Sequence, residues 1–162
     1  MLIYFTMAVK YLNLRFLCFS GIAIMFAHFG FLATGTYANY KIWWADMVLH
    51  FGGGFLVGMF GLWFIFNSEQ SKKYKFGAEK IPSVYIIILA VSFAALIGVL
   101  WEFYEFFMDK ITGYKSYSIA VMQENIKDTM SDLFFDIFGS AAAGALFFKT
   151  FKNKKNAAKT RE

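Results

Sequence analysis

The sequence predicts an all-α, polytopic membrane protein built as a bundle of four transmembrane helices. Hydrophobic residues make up 59% of the 162-residue chain, which is more apolar surface than a soluble domain of this length can bury. Four apolar runs approach or exceed the roughly 20 residues that a helix needs to cross a bilayer, and polar segments separate them. These two observations place the chain in the membrane.

The four predicted helices cover about residues 16–35, 42–66, 81–108 and 128–148 of a single membrane domain, residues 1–150, and a basic tail follows at 151–162. Basic residues precede the first run, so a cleaved signal peptide is an alternative to a retained helix. We expect a retained helix, because the run exceeds a usual signal core and contains His28. In the third run, Pro82 is expected in the first helical turn, where its missing N–H costs little.

The distribution of Lys and Arg predicts the orientation of these helices. Four spans put the N-terminus, the loop at residues 67–80 and the C-terminal tail on one side, with twelve Lys and Arg residues there and four on the other side. Positive residues accumulate in cytoplasmic loops, so we expect a multi-pass protein of a bacterial-type inner membrane with both termini cytoplasmic. The net charge of +5 then reflects topology and contact with anionic lipid, and no nucleic-acid binding is expected.

Small residues predict where the helices touch. Gly54 and Gly58 form a GxxxG step on the second helix, and Gly139 and Gly144 lie on the fourth. Such positions let two membrane helices approach closely. Because four spans bury little interior surface, these faces also favour a homodimer.

Acidic residues form same-face sets on three of the predicted helices. Asp128, Asp132 and Asp136 are spaced four residues apart, so their side chains project from nearly one helix face. Each Asp at membrane depth costs roughly 2.5–3.5 kcal/mol, so this row needs water, a cation or partner groups. Two further sets are Asp46 with His50, and Glu102 with Glu105. The predicted topology puts every set in the outer half of the bilayer, which predicts one polar pocket open to the outside.

This pocket predicts a divalent metal site. So many carboxylates cannot all be ionised within a few ångströms of one another unless cations share the space. Oxygen ligands favour Mg, Mn or Ca, and Zn or iron fits if the imidazole of His50 coordinates. The predicted metal ligands are Asp46, His50, Glu102, Glu105, Asp128, Asp132 and Asp136.

Depth along the helices predicts the position of individual groups in the pocket. We expect Asp46 at its mouth and Asp136 at its floor. Asp109, close to the predicted end of the third helix, is expected to face water. His28 has no second polar residue in its turn, so it is expected to be a core or interfacial histidine and not a ligand.

Three sequence blocks also carry a family resemblance. They are Asp46-x3-His50-Phe51-x2-Gly54, Glu102-x2-Glu105 and Asp128-Thr129-x2-Asp132. In this order they resemble those of the YjdF-like family of small bacterial inner-membrane proteins, with a more distant similarity to VanZ-like membrane proteins. The resemblance covers roughly residues 43–144. It implies a multi-span fold and a shared polar site, and it implies no particular reaction.

The leading functional hypothesis is a metal-dependent hydrolase or transferase that acts on a lipid or lipid-linked phosphate, with membrane lipid as its partner. Glu105 or His50 would be the general base. One alternative is a cation- or proton-coupled transporter that uses the same acids, and another is a structural partner in membrane assembly. The sequence has no Gly-rich phosphate loop, nucleophile elbow or HExxH motif. With Cys18 as the one cysteine, it has no cysteine-rich metal site either.

Overall fold

The computed structural model describes residues 14–34, 43–67, 73, 81–112 and 126–159, and four long helices account for nearly all of them. They are α1 (Leu14–Ala33), α2 (Trp43–Asn67), α3 (Ser83–Thr112) and α4 (Ile126–Lys159). Each contains a stretch long and apolar enough to cross a membrane. The predicted all-α class with four spanning helices is therefore confirmed.

The helix ends differ from the sequence prediction at α3 and α4. Helix α3 begins at Ser83, so Pro82 precedes it and accepts a hydrogen bond from the Tyr85 N–H at 3.0 Å through its carbonyl. Helix α4 continues to Lys159, well beyond the predicted end near residue 148, because no Gly or Pro follows Gly144 and the Ala and Lys residues there favour helix.

Helices α2 and α4 form the closest pair, and glycine allows their approach. A Cβ added to Gly54 would collide with the backbone of Asp136, and one added to Gly139 would collide with the Phe51 carbonyl oxygen. Any side chain at these two positions would push the helices apart. The other two predicted contact glycines also face neighbouring helices: Gly58 lies against Ser140 of α4, and Gly144 lies against Ile87 of α3.

An apolar core closes one end of the bundle. It comprises Leu62 and Phe66 of α2, Ile86 and Ala90 of α3, and Phe147 of α4. The rings of Phe66 and Phe147 stack with their centroids 5.8 Å apart and an interplanar angle of 13°. These residues lie near the end of α2, the start of α3 and the second half of α4, away from the acidic sets.

Helix α1 is the most loosely held of the four. It packs mainly on α2, near Gly52, whose added Cβ would lie 3.2 Å from the Ile24 side chain. Leu17 and His28 are its buried residues. Large side chains along it, such as Phe19 and Phe26, point outward, as expected for a helix surrounded by lipid.

Candidate metal centre

The helices alternate in direction, and this alternation brings the polar residues to one end of the bundle. Helices α1 and α3 arrive there with their C-terminal halves, whereas α2 and α4 begin there. Two inter-helix contacts demonstrate the arrangement. His28 of α1 lies against Glu105 of α3, and His50 of α2 lies against Asp132 of α4. Residues far apart in sequence therefore meet at similar depth.

At the centre of this end is the imidazole of His50. Its Nε2 atom lies 3.8 Å from Asp132 Oδ1 and 4.0 Å from Asp46 Oδ1, and Asp46 is one helical turn before it on α2. His50 and Asp132 are buried, and the Asp46 side chain is 22% exposed. One ligand atom from each residue lies within 4.8 Å of the other two. We call these three residues the Asp46–His50–Asp132 triad.

The other ring nitrogen of His50 faces a fourth residue. Nδ1 lies 3.5 Å from Asp136 Oδ1, and Asp136 is one turn after Asp132 on the same face of α4. Room for this carboxylate between α3 and α4 comes from Gly98, where an added Cβ would lie 2.6 Å from Asp136 Oδ2. Asp136 therefore lies on the Nδ1 side of the imidazole, opposite Asp46 and Asp132, in position to orient the ring.

The triad has dimensions suited to a first-row divalent ion. Nitrogen and oxygen ligands lie about 2.1 Å from Zn, so two ligands on opposite sides of one ion are at most about 4.2 Å apart. The separations of 3.8 and 4.0 Å from His50 Nε2 are already within this limit. The ligand atoms of Asp46 and Asp132 lie within 4.8 Å of each other, so this pair exceeds the limit by at most about 0.6 Å. A carboxylate on the far nitrogen, as Asp136 provides, is the usual support of a metal-binding histidine.

Glu105 belongs to a second group of contacts beside the triad. The indole Nε1–H of Trp101 donates a hydrogen bond of 2.9 Å to Glu105 Oε1, one turn apart on α3. His28 Nε2 approaches the same oxygen at 3.7 Å, and the His28 ring meets Trp101 edge to face with centroids 5.2 Å apart. Glu105 is 2% exposed and close enough to His50 for the two to interact electrostatically. The Trp101 hydrogen bond thus holds one oxygen of the carboxyl group, and His28 lies close to the same oxygen.

The remaining acids lie around these two groups. Glu102 is buried and interacts electrostatically with both Glu105 and Asp132. Asp128 is half-buried, one turn before Asp132 on α4. The expectation that Asp109 faces water is wrong, because Asp109 is 9% exposed. Helix α3 runs on to Thr112, so this residue stays on the same helical face as Glu102 and Glu105 and is buried with them.

Sequence reasoning did not single out Trp101 as part of the site, and it placed His28 at the depth of the acids without assigning it a role as a ligand. His28 is a buried histidine, as expected, but its Nε2 also contacts Glu105 across α1 and α3. Its position in the C-terminal half of α1, which the predicted topology puts at the depth of the acids, was the available signal. For Trp101, the signal was its spacing of four residues from Glu105, which places the indole N–H within reach of the carboxylate.

Comparisons with known proteins agree with this architecture. A family model described as predicted membrane protein (DUF2238) matches residues 1–153. A curated relative from Thermotoga maritima, described as an uncharacterized protein, is 32% identical over 117 residues, which are 71% of this chain and 54% of the relative. The chain thus spans about half the length of that relative. No solved structure matches. These findings confirm the resemblance to a family of membrane proteins.

Proposed function

The chain belongs to the DUF2238 family of predicted membrane proteins, and we propose that it is a metal-dependent membrane enzyme that hydrolyses or transfers a lipid or lipid-linked phosphate. The observation that carries the proposal is the environment of His50. One ring nitrogen faces Asp46 and Asp132, and the other faces Asp136. This arrangement matches a metal-binding histidine with its supporting carboxylate.

The donor atoms favour particular metals. One imidazole nitrogen with two carboxylate oxygens suits Mn or Zn better than Mg, which prefers oxygen ligands throughout. Asp46, His50 and Asp132 would hold the ion, with Asp136 as the residue that orients His50. Asp128 and Glu102 would complete the surrounding negative charge, and Glu105 would remain available for proton transfer.

A bound divalent ion would supply the positive charge that phosphate chemistry requires. No Lys or Arg is among the buried residues of the part of the chain that the structure describes. The ion would therefore polarise a phosphoryl oxygen and stabilise the developing charge. Glu105 would accept the proton of the attacking water or hydroxyl group. The oxygen of that attacking group would bond to phosphorus while the bond from phosphorus to the leaving oxygen breaks. His50 is less suited as a base, because both of its nitrogens face other groups.

The far end of the bundle favours an enzyme over a transporter. A path for ions across the membrane needs polar groups or water along its whole length. In the described helices, the half opposite the acids instead contains the tightly packed apolar core of Leu62, Phe66 and Phe147. Because this apolar end is closed, a substrate would reach the acidic residues from one side of the membrane, as in an enzyme. With both termini cytoplasmic, that side would be the outer leaflet.

A combined metal and activity measurement tests the proposal. The protein would be purified into lipid nanodiscs, titrated with Mn²⁺ and Zn²⁺, and supplied with phosphatidic acid or a polyprenyl diphosphate while phosphate release is followed. We expect metal binding and metal-dependent phosphate release. Asp132→Asn should remove both, because it removes a direct ligand, whereas Glu105→Gln should keep metal binding and lose phosphate release.

Two results would contradict the proposal. Purified protein that binds no divalent metal, with melting and phosphate release unchanged by Mn²⁺ or Zn²⁺, would leave the acids as a purely structural feature. Metal-dependent cation flux in proteoliposomes, without phosphate release, would instead favour the transporter.

A further inference from the structure

A cavity lies directly beside the candidate metal centre, between α1 and the other three helices. Its volume is about 160 Å³ and it is partly open. Most of its wall is aliphatic or glycine, with Ile24 and Met25 from α1, Leu49 and Val57 from α2, and Ile97 from α3. An apolar cavity of about 150 Å³ stays dry and binds benzene-sized apolar groups. Hydrocarbon is therefore the chemistry that this wall accepts.

The cavity has polar groups as well as this apolar wall. His28, His50 and Asp136 line it together with the aliphatic residues. His50 also belongs to the Asp46–His50–Asp132 triad, and His28 contacts Glu105. A molecule with a hydrocarbon chain in the cavity would therefore have its polar part next to the triad and Glu105.

The wall formed by α1 offers a route into the cavity from the membrane. Helix α1 packs mainly on α2 and has fewer contacts with α3, and Leu17 and His28 are its buried residues. A small displacement of α1 away from α3 would open the cavity sideways to surrounding lipid while α2, α3 and α4 keep their tight packing. A hydrocarbon chain could then enter without crossing water.

We propose that this cavity binds the first part of one acyl chain of a membrane phospholipid, which enters between α1 and α3 and places its phosphate beside the Asp46–His50–Asp132 triad. This inference rests on the proposed function, since it assigns the substrate class and the binding position for the same site. The small volume accommodates only the carbons nearest the headgroup, and the rest of the chain would extend through the open side. The bundle would thus recognise the junction between headgroup and chain.

Gly53 allows a test that fills the cavity without disturbing the helices. It lines the cavity, and a Cβ added there would meet nothing within 4 Å. Gly53→Leu should therefore place its side chain in the space of the acyl chain. Gly21→Leu is the matched control, because Gly21 lies on α1, does not line the cavity and also has nothing within 4 Å of an added Cβ.

The experiment uses the full chain in nanodiscs of phosphatidylethanolamine and phosphatidylglycerol, with a phosphatidylglycerol that has a diazirine near the ester of one acyl chain. After illumination, labelled peptides are mapped by mass spectrometry, and Mn²⁺ binding is measured on the same samples. We expect labels on the segments around Ile24 and Ile97. Gly53→Leu adds four side-chain carbons, and displacing only two methylene groups of the acyl chain already weakens binding about tenfold. We therefore expect at least that loss of labelling in Gly53→Leu, a smaller loss in Gly53→Ala and none in Gly21→Leu.

The outcomes separate this inference from the proposed function. Normal Mn²⁺ binding with no label in the cavity, or with equal labelling in Gly53→Leu and wild type, would overturn the acyl-chain site and leave the metal enzyme standing. Cavity labelling that Gly53→Leu reduces, without any Mn²⁺ binding, would support the lipid site and reject the metal enzyme. If Gly53→Leu loses helix content by circular dichroism, the Gly53→Ala result decides.

Discussion

Replacing Asp136 by Asn tests whether this carboxylate supports His50 or binds the metal itself. Asn keeps the shape of the side chain and removes its charge. In the structure, Asp136 Oδ1 lies 3.5 Å from His50 Nδ1, whereas Asp132 lies beside the opposite ring nitrogen, Nε2. Asp136 therefore acts on a bound ion through the imidazole ring, which it orients and makes more basic.

The size of the expected effect follows from that indirect position. Loss of a supporting carboxylate behind a metal-binding histidine lowers metal affinity by about 10- to 100-fold, which corresponds to about 1.4–2.8 kcal/mol. Asp132→Asn removes a direct ligand, so its loss should be larger. Ser140→Ala is the control, because Ser140 is one turn further along α4 and, within the described helices, its hydroxyl donates to the Ile137 carbonyl at 2.8 Å and to no acidic residue.

The assay is a Mn²⁺ titration in nanodiscs, followed by the electron paramagnetic resonance signal of free Mn²⁺. We expect the wild type and Ser140→Ala to bind Mn²⁺ most tightly, Asp136→Asn to bind it less tightly, and Asp132→Asn to bind it least tightly. Circular dichroism of each variant verifies that the helices are intact. Asp136→Asn with wild-type affinity, or with a loss as large as that of Asp132→Asn, would refute the supporting role derived from the geometry.

Two further predictions concern packing and topology. Gly139→Ala should lower the free energy of unfolding by about 1–3 kcal/mol, because its methyl group would meet the Phe51 carbonyl and separate α2 from α4. Denaturation in detergent measures this change. Gly30→Ala is the control and should not destabilise the protein, because an added Cβ there meets nothing within 4 Å. An alkaline phosphatase fused after Glu162 should be inactive and a green fluorescent protein fused there should fluoresce, because the excess of Lys and Arg predicts a cytoplasmic C-terminus. An active alkaline phosphatase at this position would reverse the predicted orientation and put the acids in the inner leaflet.

The sequence by itself determined the class of the protein and the contact positions of its helices. Long apolar runs must form helices in a bilayer, because only internal hydrogen bonds satisfy the backbone there, so four runs predict four helices. Glycine at positions 54 and 139 likewise has a direct steric meaning for how closely α2 and α4 approach. The same-face spacing of Asp128, Asp132 and Asp136 also follows from helical geometry alone.

Only the tertiary structure decided which atoms of these residues meet. Sequence spacing treats Asp132 and Asp136 as equivalent members of one row, yet they lie on opposite nitrogens of His50 and so have different roles in the proposed site. His28 became a neighbour of Glu105, and Asp109 became buried, through the rotation of α1 and the length of α3. Helical periodicity fixes the face on which a side chain lies, but rotation and contact between helices depend on packing of the whole bundle, which no single segment encodes.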